Sequence, residues 1–478
     1  MNVMGECKMA EFEFGLPPES RMLSPDFTYG VATASFQIEG ATKADGRLQS
    51  IWDKFSATPG KVKNGDTGEP ACDHYQRWQG DLDIVNNLQV DAYRFSIAWP
   101  RVMHEDGSTN QKGLDFYRKI LDRLVEEGIQ PHVTLYHWDL PQYLEDRGGW
   151  LNRDIAFRFQ DYADLVTREL GDQFHSCATI NEPWCSAFLG YGYGVHAPGL
   201  NNIRFAKQAA HHLLLAHGLG MDVLRTNLPD VKSGIVLNMG PMTPKSERYD
   251  DFISAKIAEA GGNHWFIEPL IEGRYPHIVN RYEPDKTPLV LDGDMELISR
   301  PVDFIGINYY TRNISSYDQE NFLKIHKNDT AEHTDIGWEI YPDGLRDLLL
   351  DLHRNYELPP LMVTENGAAC ADVLENDEVW DDQRCRYFDL HLNAVHQAIE
   401  QGVNITGYFA WSLLDNFEWA EGYEKRFGLV HVNYETQKRT LKESAKAFRR
   451  LMQVRKEQSE GSSFHATTNS QPLTSQQL

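Results

Sequence analysis

Hydrophobic residues along the chain fall into eight short runs rich in β-branched and aromatic side chains, separated mostly by segments with helical spacing. Several of these runs are almost entirely apolar and show no alternation of apolar and polar residues. Continuous apolar runs are typical of parallel strands that are buried on both faces. The eight runs cover residues 27–35, 90–99, 130–138, 175–183, 233–240, 302–310, 360–367 and 404–413.

The segments between the runs have the spacing of amphipathic helices. One such face, between the second and third runs, consists of Leu114, Tyr117, Leu121, Leu124 and Val125. Another, between the seventh and eighth runs, consists of Phe388, Leu392, Val395 and Ile399. A strand-helix unit repeated eight times closes most economically as a (β/α)8 barrel, so we predict an α/β TIM barrel. A last helix over residues 440–456 is expected to cover the final strand.

An open, doubly wound sheet is the alternative fold, and it would place a glycine-rich phosphate-binding turn after the first strand. Residues 34–40 read Ala-Ser-Phe-Gln-Ile-Glu-Gly and lack that motif. We therefore predict one barrel domain over residues 23–456, with elaborated loops, after an N-terminal extension of residues 1–22. The polar connection 311–337 is expected to be such a loop over the mouth of the barrel. Residues 457–478, rich in Ser, Thr and Gln, are expected to form a disordered tail.

A formal net charge of −24 narrows the range of partners. This charge repels phosphate backbones and anionic lipids, so we expect no nucleic acid or membrane partner and favour a neutral small molecule. No stretch approaches 18 uninterrupted apolar residues, and the acidic residues 1–22 lack the apolar core of a signal peptide. The six cysteines show no Cys-x-x-Cys spacing, which favours reduced thiols and a cytoplasmic protein.

Two predicted strands end in a glutamate beside an amide and a residue that redirects the chain. Glu182 lies in the segment Asn-Glu-Pro, and Glu365 lies in the segment Glu-Asn-Gly. Because the carboxyl ends of barrel strands meet at one face, both acids are expected to lie across one site. A single strand-end glutamate is usually a solvated rim residue, but two in this setting indicate paired carboxylate chemistry.

The two segments also resemble a known family. Thr-Ile-Asn-Glu-Pro at 179–183 and Val-Thr-Glu-Asn-Gly at 363–367 resemble the two active-site motifs of the family 1 retaining β-glycosidases, which include most β-glucosidases. The resemblance implies that Glu182 is the general acid/base and Glu365 the nucleophile of a double displacement, with no cofactor and no metal. Retaining chemistry places such carboxyls about 5 to 5.5 Å apart, and charge on Glu365 is expected to raise the pKa of Glu182.

The resemblance implies further roles around this pair. Arg94 and Tyr310 match the residues that hold the nucleophile. Substrate contacts are implied for Gln37, His137, Trp138, Asn181, Asn308, Trp411, Glu418 and Trp419. The aglycone entrance is implied to contain Trp184, Leu189 and Trp338.

The activity implied by the resemblance is hydrolysis of terminal β-D-glucosyl residues from β-glucosides and short oligosaccharides such as cellobiose. Glu418 favours a glycone without a 6-phosphate, because its carboxylate would repel a phosphate dianion. The same residues are compatible with β-galactosidase or β-fucosidase specificity, and the sequence does not define the oligomeric state. A metal-dependent barrel is less favoured because the chain lacks His-x-His and His-Glu-x-x-His. A non-catalytic sugar-binding relative is less favoured because both acids are present.

Overall fold

The computed structural model describes residues 11–282, 287–320 and 322–468. Its strands, in chain order, are β1 Thr28–Ala32, β2 Ala92–Ser96, β3 Gln130–Tyr136, β4 Ser176–Asn181, β5 Lys232–Asn238, β6 Met242–Pro244, β7 Phe304–Asn308, β8 Asn313–Asp318, β9 Phe322–His326, β10 Leu361–Asn366, β11 Ile405–Trp411, β12 Val430–Val432 and β13 Arg439–Leu441. Strands β1, β2, β3, β4, β5, β7, β10 and β11 pair in that order, in parallel, and β11 closes the barrel against β1. Each predicted run overlaps one of them, so the predicted barrel is confirmed.

Helices surround this barrel. In chain order they are α1 Ser35–Ile38, α2 Ile51–Ser56, α3 His74–Leu88, α4 Trp99–Val102, α5 Gln111–Glu126, α6 Gln142–Glu145, α7 Asp154–Leu170, α8 Ile203–Asn227, α9 Tyr249–Glu259, α10 Trp265–Glu272, α11 His277–Tyr282, α12 Asp294–Ile298, α13 Pro342–Asn355, α14 Asp382–Glu400 and α15 Glu443–Thr468. Contacts of α15 with both α14 and α3 join the last helices to the first. Within the described ranges, no helix is both long enough and apolar enough to span a bilayer.

The predicted face of α5 is correct except at its last position. Leu114, Tyr117, Leu121 and Leu124 are buried, whereas Val125 is 49% exposed. Successive residues of an α-helix are rotated by about 100°, so Val125 points away from the stripe that ends at Leu124. The predicted face of α14 is buried at all four positions.

The connection 311–337 contains more regular structure than the predicted loop. β8 and β9 form an antiparallel hairpin, and β8 also pairs in parallel with β6, which follows barrel strand β5. The segments Asn-Ile-Ser-Ser-Tyr and Phe-Leu-Lys-Ile-His carry the alternation that indicates short strands. This small sheet extends outward from the mouth of the barrel, where β5 and β7 end.

The two ends of the described chain meet on α15. The backbone N–H of Phe12 donates to the Glu443 carboxylate at 2.9 Å, and the Phe14 ring lies edge-on to Phe448. α15 continues to Thr468, beyond the helix end predicted at residue 456, and Glu457, Gln458 and Glu460 in the first part of this stretch favour a helix. Residues 457–468 of the predicted disordered tail are therefore helical. Residues 469–478 of that tail and residues 1–10 of the predicted extension lie outside the described residues.

We expect Gly306 in β7 to tolerate no side chain. A Cβ atom there would lie 2.6 Å from Thr364 Oγ1 and 2.7 Å from Val236 Cγ2. Overpacking of this kind costs about 1–3 kcal/mol, so Gly306→Ala should lower the midpoint of thermal unfolding. Gly80→Ala is the matched control, since a Cβ at this exposed position of α3 meets nothing within 4 Å and should stabilise the helix by up to about 1 kcal/mol. Equal midpoints for the two variants would contradict the predicted crowding.

Candidate active site

The two acids stand at strand ends where the barrel pairing is irregular. The register between β4 and β5 shifts between Ala178 and Asn181, just before Glu182. The register between β10 and β7 shifts between Val363 and Glu365. Such irregularities re-aim side chains, and here they accompany two buried carboxyls, each no more than 4% exposed.

The backbone of Glu182 is in the left-handed region, with φ of 48°. This conformation is uncommon for residues other than glycine, and it is stabilised by the Glu182 N–H, which donates to the Val236 carbonyl at 2.9 Å. Trp138 and Trp419 also have positive φ angles. The aromatic and acidic groups at the barrel mouth therefore lie on locally unusual backbone, which the sequence pattern did not predict.

Glu365 accepts two close hydrogen bonds. Arg94 Nη1 donates to Oε1 at 2.6 Å, and Tyr310 Oη donates to Oε2 at 2.7 Å. The side chains of the Arg94–Glu365 ion pair are both 4% exposed, so water screens the interaction little. Burial, followed by the charge of Glu365, raises the pKa of Tyr310 well above its usual value, and its phenol stays a donor. One oxygen of Glu365 therefore accepts from a cationic donor and the other from a neutral donor.

An amide network connects this ion pair to Glu182. Arg94 Nη2 donates to Asn181 Oδ1 at 2.7 Å, and Asn308 Nδ2 donates to the same oxygen at 3.1 Å. Asn308 Nδ2 also donates to Glu182 Oε1 at 2.5 Å. Thr364 Oγ1 donates to Asn308 Oδ1 at 2.7 Å and fixes the far side of the amide. Sequence reasoning missed Thr364, although its position directly before Glu365 in a buried strand was a usable signal.

The environment of Glu182 favours its protonated form. Burial, and then the negative charge of Glu365, raise the pKa of Glu182 to about 8. Hydrogen bonds from Cys185 and Asn308 act in the opposite direction but do not cancel these effects. At neutral pH one carboxyl of the pair is therefore protonated and the other is the partner of an arginine.

Glu418 is a third carboxyl in the same cavity, and it is half-buried. Burial, and then the charges of Glu365 and Glu182, raise the pKa of Glu418 to about 8. The sequence predicts that the negative charge of Glu418 excludes a 6-phosphate from the site. At neutral pH, however, this side chain is mostly protonated. Exclusion of a phosphate would therefore depend on the size of the Glu418 side chain. Its Oε2 atom is buried and has no hydrogen-bond partner within the described structure.

Aromatic rings form one wall of the site. The His137 ring is stacked at 6.0 Å on both Trp411 and Trp419, and the Trp138 and Trp419 rings are 4.4 Å apart. Trp138 Nε1 donates to the Asn181 carbonyl at 2.9 Å, which ties the wall to the amide network. Burial keeps the pKa of His137 well below its usual value, so the imidazole is neutral.

A cavity of about 500 Å³ lies between these groups. Of the predicted site residues, those that line it are His137, Trp138, Glu182, Trp184, Leu189, Asn308, Tyr310, Trp338, Glu365, Trp411, Glu418 and Trp419. Arg94 and Asn181 lie behind the lining and reach it through the hydrogen bonds above. Gln37 is also outside it, and its amide donates to the Phe417 carbonyl at 2.9 Å. Lining residues that sequence reasoning missed include Cys185, His196, Asn238, Asn313 and Phe427.

A (β/α)8 barrel with paired buried carboxyls at its mouth defines a class of protein suited to glycoside cleavage. The chain belongs to glycosyl hydrolase family 1, whose family model matches residues 19–457.

Similar proteins carry consistent names. "Beta-glucosidase A" of Thermotoga maritima is 47% identical over 423 residues, which cover 87% of this chain and 95% of that protein. A "Bifunctional beta-D-glucosidase/beta-D-fucosidase" of Bifidobacterium breve is 46% identical, with 89% of this chain and 97% of that protein covered. The structure of a family 1 β-glucosidase from T. maritima in complex with isofagomine lactam has a TM-score of 0.88 at 45% identity, covering 90% of this chain and 98% of that one.

We predict that Glu365→Gln lowers the pKa of Glu182, because it removes the negative charge that adds to the effect of burial. A decrease of roughly one unit is expected, measured by titration of the Glu182 carboxyl with ¹³C NMR and assigned from the missing signal of Glu182→Gln. Glu421→Gln is the control: Glu421 raises the pKa of Glu418 and is not among the charges that raise the pKa of Glu182, so this variant should change the pKa of Glu418 more than that of Glu182. An unchanged Glu182 titration in Glu365→Gln would mean that the two carboxyls are not coupled.

Proposed function

We propose that this protein is a retaining β-glucosidase that removes terminal non-reducing β-D-glucosyl residues from β-glucosides and short oligosaccharides such as cellobiose. The observation that carries the proposal is the contrast between the surroundings of two buried carboxyls. Arg94 and Tyr310 both donate to Glu365, whereas the pKa of Glu182 is raised to about 8. One ionised and one protonated carboxyl are what double displacement at a glycosidic carbon requires.

In the first step, the Glu365 carboxylate attacks the anomeric carbon and the glycosidic C–O bond breaks. Glu182 gives its proton to the departing oxygen, so the aglycone leaves as a neutral alcohol. The sugar is then esterified to Glu365, whose negative charge is lost. Because that charge raised the pKa of Glu182, the esterified state favours a carboxylate at Glu182.

In the second step, the Glu182 carboxylate accepts a proton from a water molecule that attacks the same carbon. The ester bond to Glu365 breaks, and glucose leaves with its original configuration after two inversions. Asn181 is proposed to bind the sugar 2-hydroxyl, and Arg94 and Tyr310 to stabilise the carboxylate that returns. This chemistry uses only side chains and water.

The substrate assignments rest on the relatives and on the cavity lining. Proposed glycone contacts are Gln37, His137, Trp138, Asn308, Trp411, Glu418 and Trp419, and the proposed aglycone entrance contains Trp184, Leu189 and Trp338. A relative from Thermotoga neapolitana, 46% identical, is named a 1,4-beta-D-glucan glucohydrolase, which supports a part in cellulose degradation. The described cysteines are free and buried, which supports the proposed cytoplasmic location.

β-Fucosidase activity at the same site is the second candidate. The B. breve relative is named for both activities. Fucose lacks the 6-hydroxyl that Glu418 is proposed to bind, so the importance of this side chain distinguishes the two specificities.

The two glutamates are expected to yield opposite azide products. Glu365→Ala opens the face opposite the leaving group, so azide should restore turnover of an activated aryl glucoside and form the inverted α-glycosyl azide. Glu182→Ala keeps the nucleophile, so azide should intercept the glycosyl-enzyme and form the retained β-glycosyl azide, while poor leaving groups react hardly at all. The anomeric coupling in the NMR spectrum of each product distinguishes them.

Glu421→Ala is the control for general damage to the cavity, because Glu421 lines the cavity and has no proposed part in bond cleavage. Glu421→Ala should hydrolyse the aryl glucoside without azide and release glucose. The same anomer from both glutamate variants, or wild-type turnover in either, would overturn the proposed roles.

Replacement of Glu418 should reduce activity in proportion to the hydroxyls that it binds. We expect Glu418→Ala to lower kcat/KM for an aryl β-glucoside by roughly 10- to 100-fold, the effect of losing one or two hydrogen bonds in a buried site. The loss should be several-fold smaller for the 6-deoxyglucoside, which lacks one partner. Equal losses on both substrates would show that Glu418 does not bind the 6-hydroxyl.

A further inference from the structure

Cys185 contacts the carboxyl of Glu182 on the oxygen that Asn308 leaves free. It is the third residue after Glu182 and begins the π-helix Cys185–Gly192. Its sulfur lies 3.0 Å from Glu182 Oε2, whereas Asn308 Nδ2 lies 2.5 Å from Oε1. The side chain lines the cavity and is 7% exposed. Each oxygen of Glu182 thus has one protein partner, an amide on one side and a thiol on the other.

The hydrogen-bond network determines the direction of the amide contact. A guanidinium only donates, so the Asn181 atom that faces Arg94 is its oxygen. The Asn308 atom that faces this oxygen is therefore the nitrogen, and the same nitrogen faces Glu182 Oε1. Oε1 accepts an N–H, which is the role of the carbonyl oxygen in a protonated carboxyl. The proton of Glu182 is then carried by Oε2, beside the sulfur.

We propose that Cys185 is a positioning residue for Glu182, holding the oxygen that carries the transferable proton. This inference rests on the proposed function, in which Glu182 delivers that proton to the leaving group. A thiol is both a weak donor and a weak acceptor, so it can accompany Oε2 in either protonation state. When Glu182 is ionised, the S–H donates to Oε2. When Glu182 is protonated, the sulfur can accept the O–H.

The thiol keeps its own proton in this role. Burial, and then the neighbouring charge of Glu182, raise the pKa of Cys185 well above its usual value. Cys185 therefore remains a donor when Glu182 is ionised, and this donation lowers the pKa of Glu182. Burial and the charge of Glu365 raise the pKa of Glu182, and the hydrogen bond from the thiol partly offsets this increase.

The test compares Cys185→Ala, which removes both donor and acceptor, with Cys185→Ser, which replaces the thiol by a stronger donor. The basic limb of the pH dependence of kcat/KM reports the acid in the free enzyme. We expect this limb to move to higher pH by about half a unit in Cys185→Ala, as for the loss of one weak hydrogen bond to a charge. In Cys185→Ser the basic limb should stay in place or move to lower pH. Ser186→Ala, on the same turn, should leave the limb unchanged.

A second readout separates positioning from general damage. Phenyl glucoside needs a proton on its leaving oxygen, whereas 2,4-dinitrophenyl glucoside hardly does. We expect Cys185→Ala to lower kcat/KM for the phenyl substrate several-fold more than for the dinitrophenyl substrate, and Cys185→Ser to restore the wild-type ratio. If folded Cys185→Ala loses kcat/KM equally on both substrates and its basic limb is unmoved, the inference is overturned.

The azide experiment with intact Cys185 keeps this test separate from the proposed function. If Glu182→Ala gives no retained azide product, the role of Glu182 itself fails. If it gives that product and Cys185→Ala still shows the wild-type pH limb and leaving-group ratio, only the role of Cys185 fails. Should Cys185→Ala not fold, Cys185→Val takes its place, because it is close in size to cysteine and also removes the hydrogen bond to Glu182 Oε2. A basic limb moved to higher pH in Cys185→Val supports the positioning role, and an unmoved limb contradicts it.

Discussion

The buried contact between Arg94 and Glu365 is the interaction on which the rest of the site depends. Burial alone favours the protonated form of every carboxyl in the cavity. Arg94 places a guanidinium 2.6 Å from Glu365, and the charge of Glu365 raises the pKa of Glu182 and of Glu418. Because Arg94 can only donate, it also orients the Asn181 amide, and through it Asn308. One side chain thus influences both charge and hydrogen-bond direction.

This arrangement needs a closed parallel barrel. Arg94 and Glu365 are 271 positions apart in the chain, and Asn308 and Glu182 are 126 apart, yet each pair is in hydrogen-bond contact. Their strands β2, β10, β7 and β4 end at the same face, so side chains from distant sequence meet without long loops. Close packing inside the barrel, as around Gly306, leaves these side chains little freedom to relax away from one another.

The strands and the two acids could be predicted because both produce local sequence patterns. The strands appear as apolar runs, and each acid appears as a glutamate beside a residue that redirects the chain. Other features depend on three-dimensional context. The positive φ of Glu182 arises where β4 stops pairing regularly with β5, and the protonation of Glu418 follows from its burial near two other carboxyls. The hairpin β8–β9 and the length of α15 were missed because polar strands and polar helices resemble loops in composition.

The three carboxyls also couple binding to reaction. Glu418 is proposed to bind sugar hydroxyls, yet its pKa is raised by the charges of Glu365 and Glu182, which are proposed to break the bond. The proposed esterification of Glu365 would remove a charge that raises the pKa of both Glu182 and Glu418. The pKa of Glu418 would then change during the proposed catalytic cycle, together with that of Glu182. It follows that a substitution which alters the charge at either reacting position should also alter sugar recognition, so specificity and pH dependence in this cavity share one electrostatic origin.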